Sequence, residues 1–172
     1  FVRPLTTKAN NIILERRFRK NKFDHAFDWK WGSTRYNRIA LVNLLTQKKH
    51  DCAYLEIGCA ENSLFDSVPV PDKTGVDPET GGTHRMTSDV FFAQNKRTFD
   101  VVFIDGLHTY EQVRRDAVNA IHSLKGNGWV VFHDMLPGNW KQEHVPRIQY
   151  SWNGDVWKVA FELAATDGIE FK

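Results

Sequence analysis

The chain has 172 residues, of which 41% are hydrophobic and 26% charged, and its formal net charge is +2. This length fits one ordinary domain that buries a core without disulfides or a structural metal, and no apolar run approaches the roughly 18 to 20 residues of a membrane span. The composition therefore excludes a disordered tail protein, an integral membrane protein and a disulfide-stapled miniprotein. So small a net charge gives no reason to expect a nucleic-acid partner.

Basic residues are concentrated at the N-terminus. Residues 1–31 contain eight Lys or Arg and three Asp or Glu, a net of +5, and we interpret 1–32 as a basic extension. Such a segment either contacts phosphates or a membrane surface or, more simply, is a solvated arm or a helix packed on the domain. It lacks the apolar stretch of a secretory signal, and Cys52 and Cys59 flank a strand too extended for a disulfide. Two free thiols and no export signal predict a cytoplasmic protein.

Helical and strand patterns alternate from about residue 33. Apolar residues at helical spacing predict a helix from Thr34 to about His50, and the run 52–57 that follows reads as a buried strand ending at Gly58. Residues 73–77 are a second strand candidate, and 83–87 are a weaker third. The clearest strand is 100–104, which is rich in β-branched residues.

The C-terminal third continues the same alternation. Thr109 and Gln112 have the spacing of a capping box, which predicts a helix that begins there and stops near Gly126 or Gly128. The pattern further predicts a strand at 129–132, a helix at 155–165 and a last strand at 169–172.

Strands separated by helix-length crossovers predict a doubly wound, mostly parallel sheet with helices on both faces, a three-layer α/β/α domain over 33–172. Ligands of such folds bind at the carboxyl ends of the strands. The polar residues of this chain follow the predicted strands at that edge: Glu56, Gly58, Asp77, Asp105, His108, His133 and Asp134.

The segment 54–63 has the pattern of a strand-turn-helix junction that binds a nucleotide. A dinucleotide site requires G-x-G-x-x-G, and here the three positions are Gly58, Ala60 and Ser63, which disfavours NAD or FAD. Asp77 lies 19 residues after Gly58, a spacing at which an acid accepts both hydrogen bonds of a ribose diol. Adenosine without a pyrophosphate therefore fits better, although Asp77 precedes Pro78 and could simply start a turn.

Five segments in this order, EIGCAEN, GVDP, FDVVFIDGLHTYEQVRRD, GWVVFHDMLP and NGDVWKV, resemble the class I S-adenosylmethionine-dependent methyltransferases, in the small-molecule and glycan O-methyltransferase-like branch with a D-G-x-H signature. The resemblance covers about residues 33–170 and implies a Rossmann-like fold with S-adenosylmethionine as cofactor. The family usually has glycine at Ala60, and its chains continue into a strand hairpin that we expect to be missing here. By position, the implied cofactor contacts are Glu56, Gly58 and Cys59, then Asp77, then Ser88 and Asp89, for which a helix N-terminus is the alternative.

Methyl transfer to an oxygen requires alignment and removal of a proton, and histidine is the side chain best matched to that proton near neutral pH. We predict His108 as the general base together with Asp105, the alternative being that His108 caps the following helix. Some relatives hold a divalent cation at positions that match Asp105, His133 and Asp134. An imidazole suits zinc or manganese better than magnesium. Without a metal, Asp134 would position the substrate and Asp105 the base.

The loop after Asp134 is rich in aromatic residues. Trp140, His144 and Trp152, with Asp134, form the predicted acceptor site, because stacking platforms suit sugars and planar rings, and a plain packed loop is the alternative. The predicted function is an O-methyltransferase acting on a small hydroxylated acceptor, a sugar or glycan before a catechol-like ring. A degenerate methyltransferase fold that binds ligands or proteins and a nicotinamide-dependent oxidoreductase are the alternatives. The sequence is compatible with a homo-oligomer.

Overall fold

A computed structural model describes residues 8–170 of the chain. The α-helices are α1 (Lys8–Phe18), α2 (Arg38–Gln47), α3 (Ser88–Gln94), α4 (Tyr110–His122), α5 (Trp140–Glu143) and α6 (Lys158–Ala164). The strands are β1 (Ala53–Ile57), β2 (Asp72–Val76), β3 (Phe99–Ile104) and β4 (Leu124–Phe132), and short 3₁₀ turns cover Arg19–Asn21, Trp31–Ser33 and Phe65–Ser67. No helix in the described part of the chain has the length and apolarity needed to cross a bilayer.

The four strands form one sheet in the order β2-β1-β3-β4, and every neighbouring pair is parallel. In register, Ile57 at the end of β1 pairs with Val76 of β2 and with Ile104 of β3. The carboxyl ends of these three strands therefore lie side by side, and the residues that follow them emerge at one edge. This is a Rossmann-like α/β fold, as the sequence predicts.

The sheet is stable because its central strands are buried along their whole length. All residues of β1 and β3 are buried, which explains why their sequences are apolar runs without alternation. Alternate side chains point to opposite faces. On one face, Tyr54, Val101 and Phe103 join a core cluster with Val42 and Leu45 of α2.

Several predicted elements differ from the observed ones. The helix predicted from Thr34 begins at Arg38, because Asn37 accepts a hydrogen bond from the Ala40 amide and is the N-cap. No α-helix follows β1: the segment to β2 contains only a 3₁₀ turn and two prolines, which interrupt helical hydrogen bonding. The weak strand at 83–87 is wrong, since it contributes only an isolated bridge between Val76 and His84.

Two further predictions differ from the structure, and one of them lies partly outside the described residues. Residues 169–170 are not in a strand, and 171–172, the rest of that predicted strand, lie outside the described residues. The capping box of Thr109 and Gln112 is wrong. Instead, the carboxylate of Asp155 accepts the Tyr110 amide of the first turn of α4 at 2.7 Å, and the Gln112 amide donates to α3. A distant carboxylate has replaced the local cap.

The chain divides into two compact units. The sheet unit comprises Gly32–Leu107 and Glu111–His133. The terminal unit, within the described residues, comprises 8–31, 108–110 and 134–170. In the terminal unit, the basic extension is tied to the segment before α5: Phe27 N donates to Gly138 O at 2.9 Å, and Trp29 Nε1 donates to Pro137 O at 3.0 Å. The extension is therefore a packed element over 8–31.

Candidate cofactor site and active site

The loop after β1 has a left-handed backbone at three positions, with φ of 85° at Gly58, 44° at Ala60 and 64° at Asn62. A Cβ on Gly58 would lie 2.1 Å from the main-chain oxygen of Asp105, so only glycine fits there. Ala60 keeps the glycine-type conformation without being glycine, and such strain concentrates at functional sites. The loop thus retains the shape of a nucleotide-binding turn where its sequence departs from the motif.

Asp77 stands beside this loop, at the end of β2. Its Oδ2 accepts the Ala60 amide at 2.9 Å, while Oδ1 accepts the amides of Glu79 and Thr80 at 2.8 and 2.9 Å. A carboxylate offers about four acceptor sites, so one remains on Oδ2. Asp77 thus starts the turn at Pro78 and also joins the first loop, and its carboxylate keeps one acceptor site for a further donor.

Glu56 is buried in the sheet unit. It lies two residues after Tyr54 in β1, so the two side chains share one face of the strand. The Tyr54 hydroxyl donates to Glu56 Oε2 at 2.6 Å. Burial, reinforced by the charge of Asp105, raises the pKa of Glu56 to about 7, against the opposing hydrogen bond from Tyr54. Burial likewise raises the pKa of the Cys59 thiol to about 12, so Cys59 is an inert thiol in the loop. Both cysteines are free, as predicted.

Ser88 and Asp89 lie in the first turn of α3, whose N-cap is Thr87. The Gln112 amide of α4 lies within 3.1 Å of Ser88 Oγ and 3.2 Å of Asp89 Oδ1. Arg115 Nε pairs with Asp89 at 3.3 Å. Sequence reasoning missed both α4 partners, because the helical pattern of α4 draws attention to its apolar face alone.

Asp105 and His133 follow β3 and β4 in the sheet unit. His133 Nδ1 lies 3.2 Å from Asp105 Oδ1. The two side chains are therefore close enough to form a charge-assisted hydrogen bond when the imidazole carries a proton on Nδ1. Asp134, the third predicted metal ligand, belongs to the terminal unit. The binding of a divalent cation therefore stays a prediction.

His108 is oriented by two acceptors within the terminal unit. Its Nδ1 lies 2.9 Å from the carbonyl oxygen of Trp152 and 3.4 Å from Asp134 Oδ2. A carbonyl only accepts, so the proton is on Nδ1 and the basic lone pair is on Nε2. The Trp152 ring stacks on the imidazole at 5.5 Å. These contacts fix the orientation of the imidazole ring within the terminal unit.

A cavity of about 310 Å³ in the terminal unit includes Asp134 and Trp152 in its wall. Aromatic rings and amide side chains form the remainder, chiefly Phe27, Trp29, Trp31, Asn139, Gln142 and Asn153. Phe27 and Trp29 stack at 5.3 Å. Most of the accessible wall is polar, and the aromatic rings add flat surfaces for stacking.

Trp140 and His144, the other two residues of the predicted acceptor site, are buried elsewhere in this unit. His144 Nε2 lies 3.1 Å from Asn21 Nδ2, and its Nδ1 lies 2.9 Å from the carbonyl oxygen of Pro146. Because both ring nitrogens are engaged, His144 ties the extension to the C-terminal part of the chain. The structure brings Asp134 and Trp152 to one cavity and places Trp140 and His144 outside its wall.

The segment Asn153, Gly154 and Asp155 is important to the His108 group. It contributes to the family resemblance, but the sequence predicts no site residue in it. Asn153 Nδ2 donates to Asp134 Oδ1 at 3.0 Å. Gly154 has φ of 69°, and a Cβ there would lie 1.7 Å from the His108 oxygen. The Asn-Gly dipeptide, a turn signal, could have identified this segment as a place of close approach.

The parallel sheet and the strained loop at its carboxyl edge define a Rossmann-like α/β domain of the type that binds nucleotides or nucleosides. Residues 73–135 match a family model described as a methyltransferase domain. The match supports a methyltransferase domain, and with it transferase activity with S-adenosylmethionine as the methyl donor. Neither the search of curated proteins nor that of solved structures found a match.

The residues of the sheet unit fit an adenosine-type methyl donor. The glycine-only backbone at Gly58 leaves main chain, with no side chain, next to Asp105, and Asp77 retains one acceptor site for a hydroxyl. Beside them, the buried Glu56 provides a carboxyl group whose pKa lies close to neutral. The match begins at residue 73, after the Gly58 loop, so the loop is supported by its geometry alone.

Proposed function

We propose that the protein is an S-adenosylmethionine-dependent O-methyltransferase that acts on a small hydroxylated acceptor, with a sugar or glycan hydroxyl as the favoured class. The observation that carries the proposal is the His108 group. Its Nδ1 proton is directed at Trp152 O and Asp134, and Asp134 also lines the aromatic cavity of the same unit. A base next to a cavity suited to stacking is what an oxygen acceptor requires.

In this mechanism the acceptor lies in the cavity with its ring against the aromatic side chains and its other hydroxyls on the amides of Asn139 and Gln142. When bound, S-adenosylmethionine supplies an electrophilic methyl group on a sulfonium sulfur. His108 Nε2 removes the proton of the attacking hydroxyl, and the resulting imidazolium keeps its Nδ1 proton on Trp152 O beside the Asp134 carboxylate. Asp134 thus stabilises the charge that His108 acquires.

The cofactor part of the proposal rests on the sheet unit. The Gly58 loop, with Cys59, would hold the methionyl part next to Glu56, and the open acceptor site of Asp77 would bind a ribose hydroxyl. Ser88 and Asp89 would contact the adenine from α3. Asp105 would position the reacting groups through its pairing with His133.

The first test is calorimetric titration of the full chain with S-adenosylhomocysteine, with NAD as the comparison. We expect binding of the methyl-cycle ligand alone, and about 10-fold weaker binding for Asp77→Asn, since one hydrogen-bond acceptor is lost. Glu79→Gln, an exposed carboxylate of the same turn, is the matched control and leaves the affinity unchanged. Stabilisation by NAD with no binding of S-adenosylhomocysteine contradicts the proposal.

The second test follows transfer of a labelled methyl group to a panel of sugars and catechols. His108→Asn is expected to lower the rate by about 10² to 10⁴-fold, the usual contribution of a general base, with the affinity for S-adenosylhomocysteine unchanged. His122→Asn, which alters an exposed histidine of α4, serves as the control. Full turnover by His108→Asn removes His108 from the mechanism, and transfer to catechols alone overturns the sugar assignment.

A further inference from the structure

A second cleft of the terminal unit is lined mainly by cations. It has a volume of about 480 Å³. Its wall includes four cations, Arg16, Arg19, Lys22 and Lys141, together with Trp140 and one carboxylate, that of Glu15. Arg16 lies in the last turn of α1, Arg19 begins the 3₁₀ turn that follows it, and Lys22 comes directly after that turn. Trp140 is only 6% exposed and provides a rigid wall.

The charges of this cleft are balanced only in part by the described residues. Lys141 Nζ pairs with Glu15 at 2.7 Å, and Lys22 Nζ pairs with Asp24 at 2.5 Å. Among residues 8–170 no carboxylate pairs with Arg16 or Arg19. Two guanidinium groups that converge on one concave surface repel each other, and an anion bound between them removes that repulsion.

The negative end of the α1 dipole explains in part why cations occur here, since it favours basic residues in the last turn. It does not explain why Arg16 and Arg19 both line the cleft, because it acts equally on Arg17, which is not part of the wall and lies over the Phe18 ring at 5.6 Å. The presence of both Arg16 and Arg19 in the cleft wall is therefore an observation that the helix dipole does not account for.

We propose that this cleft binds a phosphate group carried by a small molecule, with Arg16 and Arg19 as its main contacts. The planar guanidinium fork matches two phosphate oxygens at once, and two such forks suit a phosphate or diphosphate better than a carboxylate. Trp140 offers a rigid apolar wall for the rest of the molecule. This site is separate from the cofactor and acceptor sites proposed above and does not depend on methyl transfer.

The test is calorimetric titration of the full chain with inorganic pyrophosphate at constant ionic strength, without any methyl donor. We expect saturable binding at one site, weakened about 10-fold or more in the double variant Arg16→Gln and Arg19→Gln. The matched control is Arg17→Gln with Lys20→Gln, which removes the same charge at the same spacing from residues outside the cleft wall. It should change the affinity less than about 2-fold, because long-range charge alone is screened by salt.

Three outcomes overturn the proposal. No saturable binding of pyrophosphate excludes a phosphate site, and equal weakening in both double variants shows a diffuse basic surface. A single-stranded oligonucleotide that binds more tightly than pyrophosphate, with equal dependence on both pairs of cations, assigns the surface to nucleic acid. Unchanged far-ultraviolet circular dichroism and melting temperature in both variants establish that any loss of binding is local.

Discussion

In the sheet unit, the candidate cofactor residues follow buried parallel strands, whereas in the terminal unit the His108 group is held by hydrogen bonds between irregular segments. Gly58 and Asp77 come directly after Ile57 and Val76, which are paired in register. His108 is instead fixed by the carbonyl of Trp152 and by Asp134, which lie 44 and 26 residues further along the chain. Backbone pairing between strands therefore positions the candidate residues of the sheet unit. In the terminal unit, side-chain contacts position them.

The comparison predicts different costs for apolar truncation in the two units. Phe103→Ala, in the buried core of the sheet unit, should lower the free energy of unfolding by about 3 to 5 kcal/mol, because it leaves a cavity among packed side chains. Urea denaturation followed by far-ultraviolet circular dichroism measures this loss.

The control for the core truncation is Phe161→Ala in the terminal unit, where the side chain is 69% exposed. Its expected change is below about 0.5 kcal/mol. A loss of similar size in the two variants would mean that the sheet core contributes no more than the surface of α6, which contradicts the comparison.

A buried carboxyl group makes the stability of the sheet unit depend on pH. The pKa of Glu56 is raised by burial from 4.5 to about 7, so the folded state binds this proton more tightly than the unfolded chain. The contribution of Glu56 to stability is therefore greatest below pH 4.5, falls as pH rises to about 7 and then levels off, a loss on the order of 3 kcal/mol. Glu56→Gln should abolish this fall and be the more stable protein at pH 8.

Urea titrations of Glu56→Gln and wild type at pH 4.5 and pH 8 check this sign. The exposed Glu61→Gln should follow the wild-type curve at both values. If Glu56→Gln tracks the wild type as well, the Glu56 carboxyl is charged in the folded protein and the proposed cause is wrong.

The irregular segment that holds His108 should be sensitive to a single methyl group. In Gly154→Ala the new Cβ would lie within 1.7 Å of the His108 oxygen, so the backbone must shift. We expect a loss of about 1 to 3 kcal/mol. Tryptophan fluorescence is a suitable probe, since only Trp129 of the six tryptophans lies in the sheet unit.

Gly168→Ala separates the two contributions to that loss. Gly168 also has positive φ, at 82°, but no atom of residues 8–170 lies within 4 Å of an added Cβ. This variant reports backbone strain alone, and the excess loss in Gly154→Ala reports the contact with His108. Equal losses would show that the close approach is unimportant.

The smallest expected effect is a gain in the sheet unit. Ala60→Gly relieves a left-handed backbone at φ of 44°, which costs an alanine about 1 to 2 kcal/mol. The gain in the free energy of unfolding should be about 0.5 to 1 kcal/mol after the extra entropy of the unfolded glycine chain is subtracted. A destabilised Ala60→Gly protein would show that the loop is not strained at this position.

Much of the sheet could be predicted because its signals are local. Continuous apolar runs identified β1 and β3 to within one residue, and the helix-length segment between β3 and β4 indicated a parallel crossover. The start of α2 and the cap of α4 could not be predicted as accurately. Several side chains near each helix end can accept the same amide, and Asn37 and Asp155 accept it here instead of Thr34 and Thr109.

By itself, the sequence determined a parallel α/β sheet and the order of polar residues along its carboxyl edge. Hydrophobic periodicity and chain connectivity depend only on residues that are close in the sequence. Only the tertiary structure decided that Ala60 adopts a glycine-type backbone and that Asp77 is shared with main-chain amides. It alone likewise joined His108 to Trp152 and Asp134. Hydrogen bonds between residues far apart in the chain form after the backbone has been placed, and no local pattern encodes them.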